Sequence, residues 1–133
     1  MITLNKAKEA LLASETKAKE LGIAVTTVIV DEHGSIIAVS RMDTAIPISP
    51  EIALSKAYTS ANLGAPTATL LENSQPGKPY FGVQEILGGK MTILPGGLPV
   101  LKDGKIIGAV GVGGSMDLAQ DVLCAETAVK TLS

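Results

Sequence analysis

Apolar and small residues at Leu4, Ala7, Leu11, Ser14, Ala18 and Leu21 follow one another at alternating steps of three and four, while Lys6, Glu9, Lys17 and Glu20 fall mostly off that line. The spacing predicts an amphipathic helix, with Thr3 placed to cap its start and Gly22 to end it in the left-handed conformation. Ile23 to Val30 is β-branched and almost wholly apolar, Asp31-Glu32-His33-Gly34 carries turn chemistry, and Ser35 to Ser40 is apolar again, which reads as a two-stranded hairpin. Thr44 to Ser49 is a loop containing Pro47. Ser49, Pro50 and Glu51 then read as N-cap, first-turn proline and first-turn acid of a second helix running through Leu63 to a terminating Gly64. A short third helix can open at Pro66 and Thr67 and run to Leu71, and Gln75-Pro76-Gly77-Lys78-Pro79 must be a loop.

From Gly88 to Gly114 lie nine of the 14 glycines, spaced by short apolar pieces, a pattern of strands and tight turns rather than helix. Strands are expected near Met91 to Leu94, Leu98 to Lys102 and Lys105 to Val112, with Asp103-Gly104 turning between the last two. From Asp117 a helical stripe returns through Leu118, Val122, Ala125, Val129 and Leu132. The order is helix, two strands, two helices, about three strands, helix. Hairpin-linked strands imply an antiparallel sheet of about five strands covered by helices, an α+β class rather than a doubly wound one.

The 133 residues fit one domain, 1–133, and no repeat, linker or low-complexity tract divides them. Eleven basic and 13 acidic residues are scattered along the chain, and aromatics amount to 2%, so no phosphate-tracking surface or stacking platform is expected and nucleic acid is not a partner. Hydrophobic residues reach 46% with a mean hydropathy of +0.35, yet no apolar run approaches the ~20 residues of a membrane span. The first residues, Met1 to Lys8, carry no secretory pattern, which favours the cytoplasm. An apolar chain with few charges suggests a surface partly covered by other subunits, a homo-oligomer.

Candidate chemistry is sparse. Gly108 to Ser115 runs from a strand into the last helix, where the amides of Gly113, Gly114 and Ser115 can hold an anion; alternatively the glycines admit a close neighbour, and Ser115 or Asp117 caps the helix. A dinucleotide site is disfavoured, because this strand belongs to a hairpin and no second parallel strand follows. Lys56 falls on the inward side of the second helix, where a solvated lysine is not expected, and is the best single candidate for an anionic group. The competing reading lays its stem along the core edge with the ammonium at water or a helix C-terminus. Tyr58 points elsewhere, into packing.

Arg41 is a second anion candidate, or an ion pair with Asp43 at a strand end. His33, the lone histidine, sits at a turn tip, and with one histidine and one cysteine no closed metal set or hydrolase triad can be assembled. Cys124 reads as a small buried hydrophobe. Asp117 and Asp121 share a helix face and could hold a cation, although acids there also suit the helix dipole.

Ala18-Lys19-Glu20-Leu21-Gly22, Val30-Asp31-Glu32-His33-Gly34, Arg41-Met42-Asp43, Lys56-Ala57-Tyr58-Thr59, Gly88-Gly89, Gly96-Gly97-Leu98-Pro99 and Gly108 to Gly114, taken in this order and spacing, resemble the GlcG / HbpS / PduO C-terminal-domain family across nearly the whole chain. The resemblance implies a profilin-like fold with helices on both faces of the sheet, and assembly into dimers and larger rings or octamers. It also implies an accessory protein for a small ligand, with haem or a related tetrapyrrole leading, and an association with diol, glycerol or glycolate utilisation. Alternatives are an enzyme acting on haem or a small anionic metabolite, and a structural partner of a metabolic enzyme. The cobalamin adenosyltransferase activity of PduO belongs to a separate N-terminal domain that this chain is too short to contain. Some members ligate haem through a first-helix histidine, which Thr3 to Gly22 lacks. His33, Tyr58, Tyr80, Cys124 or a methionine would then have to serve, with Lys56 and Arg41 meeting the propionates and the glycine-rich surface receiving the ring.

Overall fold

The computed structural model describes residues 1–133. Helix α1 spans Leu4–Leu21, with Thr3 Oγ1 accepting from the Lys6 amide at 3.2 Å and Gly22 in the left-handed region at its end. Strands β1 (Thr26–Asp31) and β2 (Ile36–Arg41) form the expected hairpin, and Asp31 Oδ1 holds its turn by accepting from the amides of His33 and Ser35. Helix α2 spans Ser49–Leu63, α3 spans Ala68–Leu71 and runs on into a 3-10 turn, and Val83–Gly89 adds 3-10 turns broken at Ile86–Gly88. Strands β3 (Gly97–Lys102) and β4 (Lys105–Gly113) turn at Asp103-Gly104, and α4 (Leu118–Leu132) closes the chain.

The sheet has four antiparallel strands in the order β2-β1-β4-β3. The fifth strand expected near Met91–Leu94 is absent, and the reason lies in its hydrogen bonds. The Thr92 amide donates to Thr59 Oγ1 at 3.0 Å and the Leu94 carbonyl accepts from Thr67 Oγ1 at 2.7 Å, so side chains take the backbone groups a strand partner would have taken. A second correction concerns Ser49. It does not cap α2; the preceding Ile48 holds the cap position, and the buried Ser49 hydroxyl shares a 2.8 Å hydrogen bond with Thr26 Oγ1, tying the helix start to β1.

Alternation along the strands divides the core into two layers. Val25 and Ile29 ahead of and within β1, with Val110 and Val112 of β4, meet Ala7, Ala10, Leu11 and Ala18 of α1 and Cys124, Ala125, Ala128 and Leu132 of α4. Val28, Val30 and Ala109 point to the other face, where Ala53, Ala57 and Ala61 of α2 cover them. Each fully buried valine or isoleucine contributes roughly 1.5–3 kcal/mol by leaving water. Alanines on α2 and glycines on β4 bring helix and sheet unusually close, so that a side chain at Gly111 would run into the Ala53 carbonyl and the Ala57 amide. The glycine run therefore serves approach of a helix to the strand. The inward set of α4, Asp121, Cys124, Ala125, Ala128 and Leu132, is rotated from the predicted stripe by about one position.

Candidate functional site

Helix α2 crosses the sheet without covering β2, and the outward positions Glu51, Leu54, Ser55 and Tyr58 lie three or four residues apart on one side of it. That side forms one wall of a groove of about 530 Å³ whose other walls are Gly34, Ser35 and Ile36 at the β1–β2 turn and the Gly89-Lys90 backbone. Ser55 Oγ donates to the Lys90 carbonyl at 2.7 Å, which fixes the far wall to the helix. The Lys90 ammonium stands 5.8 Å from the centre of the Tyr58 ring, within cation–π range. Gly34 makes room for that ring: its φ is +85°, and a Cβ there would lie 2.7 Å from Tyr58 Cδ2. The groove is apolar along Ile36 and Leu54 and charged at Glu51 and Lys90.

The inward side of α2 carries Lys56, and its surroundings differ from both readings of the sequence. The side chain is 0% exposed, and its ammonium donates to the Val112 carbonyl at 2.7 Å and to Asp121 Oδ2 at 3.0 Å. Asp121 Oδ1 in turn accepts from the Ser115 amide at 3.1 Å, so one buried cluster joins α2, the end of β4 and the start of α4. Burial pushes the Lys56 ammonium below the usual lysine range, and the charge of Asp121 opposes that shift. Burial likewise pushes the Asp121 carboxyl up against the opposing pull of Lys56. Two enclosed charges with matched partners form a structural lock, and an anion could reach Lys56 only by displacing Asp121.

The remaining candidates do not converge on the groove. Gly113 packs against Ile52 of α2, and Gly114 against Ala24 and Val25, while the Ser115 hydroxyl donates to Gln120 and accepts from the Asp117 amide. Ser115, half-buried at the surface beside Gly114, thus joins Lys56 through Asp121. Asp117 caps α4 by accepting from the Ala119 amide, so the two aspartates have separate partners. Arg41 donates to the Ala45 carbonyl at 3.3 Å in place of an ion pair with Asp43. His33 is 81% exposed at its turn tip, 3.7 Å from Glu32 and next to the groove-lining Gly34. Cys124 is buried, which raises its thiol to about 11. Tyr58, a packing residue by its helix position and a possible iron ligand by the family resemblance, belongs to the groove wall, four residues on from Leu54. Lys90 completes that wall and carries no local cue in the sequence.

A four-stranded antiparallel sheet between helical layers, with an amphipathic groove beside α2, defines an α+β domain. No helix is long and apolar enough to cross a membrane. The sequence model of the family described as haem degrading protein HbpS-like matches residues 2–130, and the chain belongs to this family. The uncharacterised 15.0 kDa protein of the dhaT-dhaS intergenic region of Citrobacter freundii is 42% identical over 132 residues, 99% of this chain and 92% of that protein. The corrinoid adenosyltransferase PduO of Salmonella typhimurium is 34% identical over 91% of this chain, which spans only 36% of that protein's length. Among solved structures, Klebsiella pneumoniae ORFY superposes with a TM-score of 0.95 at 37% identity, covering 98% of this chain and 90% of that one. The PduOC:Heme complex follows at 0.92 and 31%, covering 97% and 93%.

Proposed function

We propose that the chain is an oligomeric, cytoplasmic accessory protein of one profilin-like domain, 1–133, that binds haem or a related tetrapyrrole in the groove beside α2. The observation that carries this reading is the lining of the groove, which sets Ile36 and Leu54 beside the Tyr58 ring with the Lys90 ammonium over it. Its apolar wall at Ile36 and Leu54 suits a macrocycle, and the Lys90 ammonium at its rim suits a propionate. The enclosure of Lys56 moves the carboxylate-binding role to Lys90. The haem bound by the PduOC relative and the family's description support the ligand class. The association with diol, glycerol or glycolate utilisation rests on the family resemblance, and co-purification with an enzyme of such a pathway tests it.

Titration of the purified protein with haem tests the central reading. A shifted Soret band that saturates at a fixed ratio per subunit, and that Leu54→Arg abolishes in a folded protein, is the expected result. A featureless, non-saturating response matching that of an adsorbing control protein would overturn it. The family's description also favours a second reading, turnover of the bound haem, which predicts loss of the Soret band under reductant and oxygen.

A further inference from the structure

Resting on the groove as the tetrapyrrole site, we propose that the Tyr58 phenol oxygen is the ligand this chain offers to the iron. Haem iron takes histidine, cysteine, methionine or tyrosine from a protein, and of the groove's nine lining residues only Tyr58 is one of these. Met91 follows Lys90 in the chain but is not among those nine, and five other candidates are engaged or placed elsewhere. Cys124 is enclosed between α1 and α4 with its thiol held protonated up to about 11. Met42 Sδ accepts from the Val25 amide at 3.4 Å. Met116 is 94% exposed beside the start of α4, and Tyr80 lies on the outer loop. His33 stands outside the lining and faces Glu32.

Tyr58 is also held as a ligand should be. Gly34 lies against one edge of its ring where any other residue would collide with it, and Lys90 caps its face. The hydrogen bond recorded at Tyr58 uses its backbone carbonyl, which accepts from Asn62 Nδ2, and the phenol oxygen has no partner within the chain. A ring held between Gly34 and Lys90 in the wall of the groove, with a phenol that no hydrogen bond engages, is preorganised for coordination, so little side-chain freedom remains to be lost on binding. Lys90, anchored through its carbonyl by Ser55, completes the pair as the propionate contact.

The test compares ferric haem with iron-free protoporphyrin IX on the full chain and on Tyr58→Phe. With the wild-type protein, haem should give the charge-transfer band and resonance-Raman iron–oxygen mode of a phenolate ligand. Tyr58→Phe should lose both signatures and at least about tenfold in haem affinity, about 1.4 kcal/mol, while keeping its affinity for protoporphyrin IX within about twofold. If Tyr58→Phe keeps the wild-type haem spectrum, or if it remains folded by circular dichroism and loses both ligands equally, Tyr58 is not the iron ligand and the groove reading stands. If the wild-type protein binds neither porphyrin, the groove reading itself fails.

Discussion

The two sides of α2 make the most instructive contrast in the molecule. Its inner side is small, dry and locked: Ala53 and Ala57 press on Gly111, and Lys56 is spent on Asp121 and the Val112 carbonyl. Its outer side is half-open, with Leu54 and Tyr58 facing a groove across which only Ser55 makes a fixed bond. The same contrast holds for the sheet. Two helices cover one face, whereas α2 alone covers the other and leaves Ile36 55% and Val39 44% exposed on β2. A helix layer too narrow for its sheet leaves a ligand-sized space, and the lysine that looks most available in the sequence is the one least available in the fold.

The sharpest way to break this contrast is to remove half of the buried pair. Lys56→Ala or Asp121→Ala each leaves an uncompensated buried charge, and either should lose about 3–5 kcal/mol in urea unfolding. The double variant Lys56→Met/Asp121→Leu should lose markedly less than the sum of the two singles. Gly111→Ala comes next, at roughly 1–3 kcal/mol, because α2 must move away from β4 to admit a methyl group. Gly77→Ala, with open space around it but φ at +84°, should cost only about 1 kcal/mol.

On the open side, Tyr58→Phe and Lys90→Ala should change stability by no more than about 0.5 kcal/mol, the usual range for surface substitutions. Stability loss there as large as at Lys56 would erase the distinction between the two sides. At Cys124 the effect is confined to alkaline pH. Its folded pKa of about 11 lies above the ordinary 9.0, so the protonated thiol favours the folded state below pH 9. That contribution is lost as pH rises through about 11. Cys124 should therefore label with iodoacetamide only on unfolding, and Cys124→Ala should flatten the fall in stability between pH 9 and 11.

The elements with strong periodicity and end signals were legible in the sequence: α1 between Thr3 and Gly22, the hairpin around Asp31 and Gly34, and the β3–β4 turn at Asp103-Gly104. Met91–Leu94 looked like a strand because it is short and apolar, and the threonines that take its backbone bonds stand on α2 and just before α3, more than 25 residues away in each case. Lys56 was legible as an anomaly on an apolar helix face. Its partner Asp121, 65 residues on, sits at an inward position of another helix, and an inward acid is the signal that could have paired them. The groove was not legible, since it exists only where the Gly34 turn and the Lys90 segment both close on α2. No local pattern encodes such a meeting, although a tyrosine four residues after a leucine on the outer side of α2 hinted at one wall.

The claim that the ligand lies against the outer side of α2 is tested most directly by hydrogen–deuterium exchange with and without bound haem. New protection is expected in peptides covering residues 33–37, 51–58 and 88–92, with the α1–α4 face unchanged. Protection confined to α1 and α4, with those three segments exchanging as before, would contradict it.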